Sequence, residues 1–407
     1  MYRLRFEFFF LGIYCLMDTW VSIKLVIGYL VTAGWRNGSR NNPDSIWITH
    51  CPAFRGMQES FPDSCILRGM IRSQFLLFSA VLLILYSCNS SKNEISDVSA
   101  ELSSVPLPLD VQAHRGGRGR YPENTLSAFA WSREIGVDTW EMDAALTSDG
   151  IPVLSHDPFL KGSLVRDENG DFLEKDIRIA DLTLDELKHF QVGEIQPGIR
   201  YKERFPNQHS SSESIPSLDE VFRLAQEFGG NVRFNIEIKT YPPYPEWTLG
   251  WETVTDTVIS VIKEHDMEER TTVQSFDWRT LARIKELYPE MRISCLTVKN
   301  FKHGNDSYNL QIGQSGPSPW LAGFDADDYG SVAELVSAFG ADVYSPYYKE
   351  LSFSEIKAAQ SLGLEIVTWT VNDKNKMRLL IDEGVNGIIS DYPDILIEVS
   401  GNNASNR

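Results

Sequence analysis

The chain has 407 residues, 42% of them hydrophobic and 23% charged, an ordinary globular composition that suffices for one large α/β domain with additions. A formal net charge of −18 argues against non-specific binding to nucleic acid or to anionic lipid head groups. The cysteines, Cys15, Cys51, Cys65, Cys88 and Cys295, form no C-x-x-C pair, so neither a thiolate zinc site nor a redox motif is expected. Residues 1–69 begin with an aromatic-aliphatic run and drift into Asn, Pro and Ser without periodicity. They do not read as a folded domain, and they suggest an extension ahead of a true start at Met70.

Residues 70–88 begin with Met70-Ile71-Arg72, continue as an apolar run over 75–85 and end at Leu85-Tyr86-Ser87-Cys88. A basic start, a short apolar core and a small residue at the end describe a secretory signal peptide. The run is shorter than the roughly 20 residues that a membrane span needs. Leu-x-Ser-Cys is similar to the bacterial lipoprotein cleavage box, which implies lipidation of Cys88. The expected address is the cell envelope, exported and lipid-anchored to a membrane on the periplasmic side or at the cell surface. Residues 89–107, polar and without apolar periodicity, read as a flexible tether.

From residue 108 to about 400 the chain reads as one domain. A short apolar run over 109–114 ends at glycines, as a buried strand does. Pro122-Glu123-Asn124 opens an amphipathic helix that Gly136 stops. Strands are expected over 140–146 and 151–156, the second delivering His156 at its end. Side chains two apart on a strand share a face, so Glu141 and Asp143 project the same way. The segment from about 160 to 215 is polar and reads as an insertion, which either covers the mouth of a site or decorates the surface. Helices over 218–228, 253–264, 281–288, 332–339, 353–361 and 374–383 then alternate with strands over 232–239, 272–276, 292–298, 342–344, 365–370 and 387–390. Repeated units of this kind predict a parallel sheet, and periodicity does not choose between an open and a closed one. Cys295 falls in an apolar run and is expected as a buried thiol.

The runs HRG (114–116), PENT (122–125), ExD (141–143) and HDP (156–158) resemble the glycerophosphodiester phosphodiesterase family. The similarity continues in NIEIK (235–239), VQSFD (273–277), VTWTVND (367–373) and GIISDYPD (387–394). This resemblance selects a (β/α)₈ TIM barrel with a small insertion after the early strands. In that fold catalytic residues gather at strand C-termini, where His114, Glu141, His156, Glu237 and Asp391 are placed.

The resemblance implies that Glu141, Asp143 and Glu237 are metal ligands. Three carboxylates at one barrel mouth repel and raise one another's pKa unless a cation lies among them, and oxygen-only ligation suits Ca²⁺ or Mg²⁺. It implies His114 and His156 as general acid and base, since histidine alone titrates near neutrality without perturbation. Arg115 offers a planar fork for two phosphate oxygens. Lys239 offers a point charge, or else a salt bridge that orients Glu237, whose strand face it shares. Asn124 is expected in the metal or phosphate shell or as a turn cap, and Trp369 as an apolar wall against the glycerol carbons or as core; Gln274 and Asp391 are weaker candidates. The implied activity is metal-dependent hydrolysis of a small-molecule glycerophosphodiester to sn-glycerol 3-phosphate and an alcohol. Two alternatives are a phospholipase D-like enzyme acting on lysolipids and an inactive, membrane-tethered binding barrel. The sequence leaves the oligomeric state open.

Overall fold

The computed structural model describes residues 108–299 and 309–401. The expectations for residues 1–107, Cys88 and its lipid anchor among them, lie outside the described residues. Eight strands close into a barrel: β1 (Asp110–Ala113), β2 (Thr139–Leu146), β4 (Arg233–Ile238), β5 (Thr271–Ser275), β6 (Arg292–Thr297), β7 (Val343–Pro346), β8 (Glu365–Thr368) and β9 (Gly387–Ser390). Every neighbouring pair is parallel, and closure comes from β1 pairing with both β2 and β9. The remaining strand of this sheet, β3 (Pro152–Leu154), lies antiparallel on the end of β2, with Ala144 opposite Leu154. His156 therefore follows a hairpin strand outside the barrel wall, which corrects its placement at a barrel-strand end. The five residues between β2 and β3 are too few for the dozen or more that a parallel crossover needs.

Helices α1 (Leu126–Glu134), α2 (Leu218–Phe228), α3 (Trp251–Glu264), α4 (Trp278–Leu287), α5 (Val332–Phe339), α6 (Phe353–Ser361), α7 (Lys374–Asp382) and α8 (Pro393–Ser400) surround the strands. Their starts are written in short polar side chains. Thr125, Ser217, Asp277, Ser331, Ser352 and Asp373 each accept a hydrogen bond from a first-turn backbone N–H. In α2, Glu220 completes a capping box with Ser217, and Leu218, Val221, Phe222 and Ala225 turn one stripe toward the strands. Trp140, Phe222 and Phe234 pack edge-on in the layer between sheet and helices. Truncating one such fully buried side chain, Leu218→Ala for instance, costs about 2–5 kcal/mol. Cys295 is a buried free thiol, as expected.

The insertion is ordered by a small core of its own. Leu160, Val165, Ile179, Leu187 and Ile215 pack against Ala145 and Val153. Three two-residue strands (Val165–Arg166, Gln191–Val192, Glu213–Ser214) and two short helices (Leu184–Leu187, Arg200–Arg204) form around it. Its apolar residues come singly or in pairs among polar ones, so the segment reads as a loop although it folds onto the hairpin. No helix among the described residues is long and apolar enough to cross a membrane.

Candidate active site

At the strand C-termini β2 and β4 run in a register that sets Asp143 directly opposite Glu237. Like charges directly across a sheet repel, and Glu141, two residues back on the same face, adds a third. One oxygen from each of the three carboxylates lies within 4.8 Å of the others, and all three residues are buried. Burial, with the charge of Asp143 second, pushes the Glu141 carboxyl well above the carboxylate range. Burial chiefly, and then Asp143, raises Glu237 to about 7 against the opposing charge of Lys239.

The cluster is partly compensated by the protein itself. Lys239 donates to Glu237 Oε1 at 2.7 Å and lies 3.6 Å from Asp143 Oδ1. The orienting salt bridge expected of Lys239 is thus present. Arg115 Nε is 3.2 Å from Asp143 Oδ2, while its Nη1 donates to Glu123 at 2.7 Å. Asn124 Nδ2 donates to Asp143 Oδ2 at 3.0 Å, so Asn124 braces a carboxylate. Gln274 Nε2 donates to Glu141 Oε1 at 2.9 Å, and the Arg115 backbone N–H donates to Glu141 Oε2 at 2.8 Å. Arg115 has φ 52, a left-handed turn conformation that a non-glycine residue rarely adopts and that aims its amide at Glu141. Buried Asp143 Oδ1 is still left without a hydrogen-bond partner. A buried oxygen without a donor, inside a set of three hard oxygen ligands, fits a divalent cation such as Mg²⁺ or Ca²⁺.

Both histidines stand over this cluster. His114 Nδ1 is 2.5 Å from Asp391 Oδ1, and its Nε2 is 4.0 Å from Glu141 Oε2. Asp391 also accepts from Arg118 Nε at 2.6 Å and from Asn372 Nδ2 at 2.6 Å. Despite burial, Arg118 and His114 hold Asp391 well below the carboxylate range, so it is an acceptor only. His114 Nδ1 therefore carries the hydrogen in this bond, and the neutral ring presents an unprotonated Nε2 to the carboxylates. Burial first, and Arg118 second, lowers the His114 pKa to about 4. His156 is half-buried, 3.2 Å from Asp157 through Nδ1, and burial is the main cause of its lowered pKa. A loop–loop contact supports the arrangement: Gly119 N–H donates to Asp391 O at 2.9 Å, and a Cβ at Gly119 would come within 2.6 Å of that oxygen.

A cavity of about 570 Å³ opens above the carboxylates and is lined by His114, Arg115, His156, Glu237, Arg204 and Trp369 among others. Trp369 packs edge-on against Phe276 and donates Nε1 to Ser345 O at 3.0 Å, which makes it a fixed wall. Several members of the site were not singled out from the sequence. Arg118, Glu123 and Asn372 lie within or beside matched motifs, so position alone was a usable signal. Tyr201 and Arg204 carried none. They come from the insertion, Tyr201 Oη donating to Glu123 Oε2 at 2.5 Å and Arg204 lying 3.6 Å from Asp391. Gln208, also from the insertion, donates to Arg118 O at 2.6 Å. The insertion thus adds three side chains to the network around the site.

A parallel eight-stranded barrel with carboxylates, histidines and arginines at its C-terminal mouth is the arrangement of a (β/α)₈-barrel enzyme. The model of the glycerophosphoryl diester phosphodiesterase family matches residues 114–395. The glycerophosphodiester phosphodiesterase of Caldanaerobacter subterraneus subsp. tengcongensis is 30% identical over 291 residues, which is 71% of this chain and 96% of that one. That of Bacillus altitudinis is 30% identical over 71% of this chain and 97% of its own. A solved structure of the same type from Silicibacter pomeroyi superposes with a TM-score of 0.64 at 28% identity, covering 73% of this chain and 94% of that one. The chain belongs to the glycerophosphoryl diester phosphodiesterase family. It is an enzyme that hydrolyses glycerophosphodiesters.

Proposed function

We propose that hydrolysis proceeds by metal-assisted general acid–base catalysis and yields sn-glycerol 3-phosphate and an alcohol. The observation that carries this reading is the buried Glu141–Asp143–Glu237 triangle with His114 and His156 lining the same cavity. A divalent cation held by these three carboxylates would supply charge neutralisation at the phosphate oxygens. Arg115, on the same cavity wall, binds the phosphate and stabilises the charge that develops during displacement. His114, neutral at pH 7 and fixed by Asp391 with Nε2 toward the carboxylates, accepts the proton of the attacking oxygen. Asp391 then stabilises the imidazolium that forms. His156, half-exposed and beside Asp157, is re-protonated from solvent and gives its proton to the departing alkoxide. Trp369 packs against the glycerol carbons.

Release of glycerol 3-phosphate from glycerophosphocholine, measured with Mg²⁺ or Ca²⁺ and after chelation, tests the reading. Turnover that persists in excess chelator overturns the metal assignment. The proposed address is the envelope, with the lipid on Cys88; Cys88→Ala should then move the protein out of the membrane fraction.

A further inference from the structure

Arg115, the side chain assigned to the phosphate, stands between two carboxylates. Its Nη1 donates to Glu123 Oε1 at 2.7 Å, while its Nε lies 3.2 Å from Asp143 Oδ2 and makes no hydrogen bond there. Glu123 thus holds the guanidinium back from Asp143, a proposed metal ligand. A planar guanidinium meets two phosphate oxygens at once only while its plane is fixed. Released from Glu123, Arg115 would close its ion pair with Asp143, because a buried cation left without a partner is costly. It would then be lost to the phosphate and would cover an oxygen that a divalent cation needs.

Glu123 has a second claimant. Arg118 Nη1 lies 3.6 Å from Glu123 Oε2, the oxygen that Arg115 does not use. Tyr201 Oη donates to that same oxygen at 2.5 Å and occupies it. Burial opposes ionisation of Glu123, but Arg115 and then Arg118 lower its pKa to about 2, so it only accepts. Burial, and then Glu123, pushes the Tyr201 hydroxyl well up, so it stays protonated and donates. Tyr201 is itself held by a segment fastened to the loop over 115–123. Its ring packs edge-on against the fully buried Phe205 at 5.0 Å, and Arg118 lies over the same Phe205 ring at 5.1 Å. Gln208 Nε2 donates to Arg118 O at 2.6 Å, and His209 N–H to Arg120 O at 2.7 Å. Arg118 meanwhile keeps Asp391, at 2.6 Å. Resting on the activity and on the phosphate role of Arg115 proposed above, we propose that Tyr201 of the insertion is a positioning residue for the hydrolysis. It holds Glu123 on Arg115 and away from Arg118, and so keeps Arg115 at the phosphate and off Asp143.

The experiment is a double-mutant cycle on the intact protein: Tyr201→Phe, Arg115→Lys and the two together, with kcat/KM for glycerophosphocholine and the melting temperature of each. Tyr201→Phe retains the ring against Phe205 and should lower kcat/KM by about tenfold, the size of effect usual for a residue that orients a ligand. Arg115→Lys should lower it by about 10²-fold, since lysine has no planar fork. The double variant should match Arg115→Lys within about twofold, because the hydroxyl acts only through that guanidinium. A defect that merely loosened the insertion would instead lower the double variant by the same tenfold again, and that result overturns the proposal. So does a Tyr201→Phe variant within about twofold of the wild type; the activity stands in both cases. Should Tyr201→Phe fail to fold, Glu123→Gln takes its place in the cycle with the same outcomes. Wild-type kcat/KM in Arg115→Lys removes Arg115 from the phosphate and overturns the positioning role with it, again leaving hydrolysis intact. Absence of turnover by the wild type with Mg²⁺ or Ca²⁺ overturns the activity itself.

Discussion

The two ends of the barrel are built from the same kinds of side chain and differ in how their charges close. At the N-terminal floor Arg233 meets Asp110 at 2.8 Å, Arg292 meets Glu365 at 2.5 Å, and Asp110 also accepts from Thr139 at 2.7 Å and Gln112 at 2.8 Å. Each of these charges has an opposite neighbour, and nothing further is required. At the C-terminal mouth Asp143 faces Glu237 in register, Glu141 joins them, and Lys239 and Arg115 are shared with other partners. A closed charge network holds a fold, whereas an open one holds a ligand. Burial at the mouth makes the imbalance expensive, and that is the setting in which a cation is bound tightly.

Breaking the mouth should give the largest effect. Glu141→Gln keeps the shape and can still accept from Gln274, although its amide NH2 then faces the Arg115 N–H, and turnover should fall by roughly 10³-fold. Because burial and Asp143 already disfavour the charged form of Glu141, loss of the charge offsets the mismatch at the Arg115 N–H, and the metal-free variant should melt close to the metal-free wild type. It should lose the rise in melting temperature that the wild type gains from Mg²⁺ or Ca²⁺. Calorimetry with and without metal checks this, and a variant that still shows the full metal-induced rise would remove Glu141 from the ligand set.

Next in size are the histidines. His114→Ala and His156→Ala should each lower turnover by roughly 10²-fold while metal binding persists. The double variant should be little worse than either single one, since paired catalysts act as a unit. A p-nitrophenyl ester, whose leaving group needs little protonation, should rescue His156→Ala and leave His114→Ala slow.

Asp391→Asn should cost about 10–100-fold, acting through the orientation of His114. Asp391 raises the His114 pKa against burial, so its removal lowers that pKa further. The acidic limb of the pH–rate profile should move to lower pH, a shift that a purely structural defect would not produce.

The floor supplies the smallest effect and the control. Arg233→Ala leaves Asp110 with Thr139 and Gln112 and removes a part-exposed pair. It should cost at most about 1 kcal/mol in urea denaturation, with turnover unchanged. A loss of activity as large as that of Asp391→Asn would show that the two ends are not separable in this way.

The mouth was more legible in the sequence than its supports. Glu141, Asp143, Glu237, His114 and His156 stand in short matched runs, and the alternation of apolar segments gave α2, α6 and β9 with their observed bounds. Barrel closure was not legible in periodicity, because an open and a closed parallel sheet need the same buried strands. His156 was misplaced because an apolar run of three to six residues reads alike as a barrel strand and as a hairpin strand. Tyr201 and Arg204 were invisible for a different reason. What makes them part of the site is a contact across 78 residues to Glu123 and a near approach to Asp391. Local composition cannot encode a contact of that range.

Between mouth and floor, the inside of the barrel carries a line of amides with a fixed direction. Asn235 Nδ2 donates to Gln112 Oε1 at 2.8 Å and to Gln274 Oε1 at 3.0 Å. Gln112 passes its own hydrogen to Asp110 on the floor, and Gln274 passes one to Glu141 at the mouth. Both ends of the line terminate on carboxyl groups, and where these are ionised they only accept, so hydrogens then run outward from the middle in both directions. Asn235 is the one member that can source both, and its Oδ1 is consequently left buried without a donor. Turning any one amide over would set two acceptors or two donors against each other and would require the next amide to turn as well. The polarity of the whole axial column is therefore fixed by the ionisation of its two end residues. A cation that kept Glu141 ionised would keep the column oriented down to the floor.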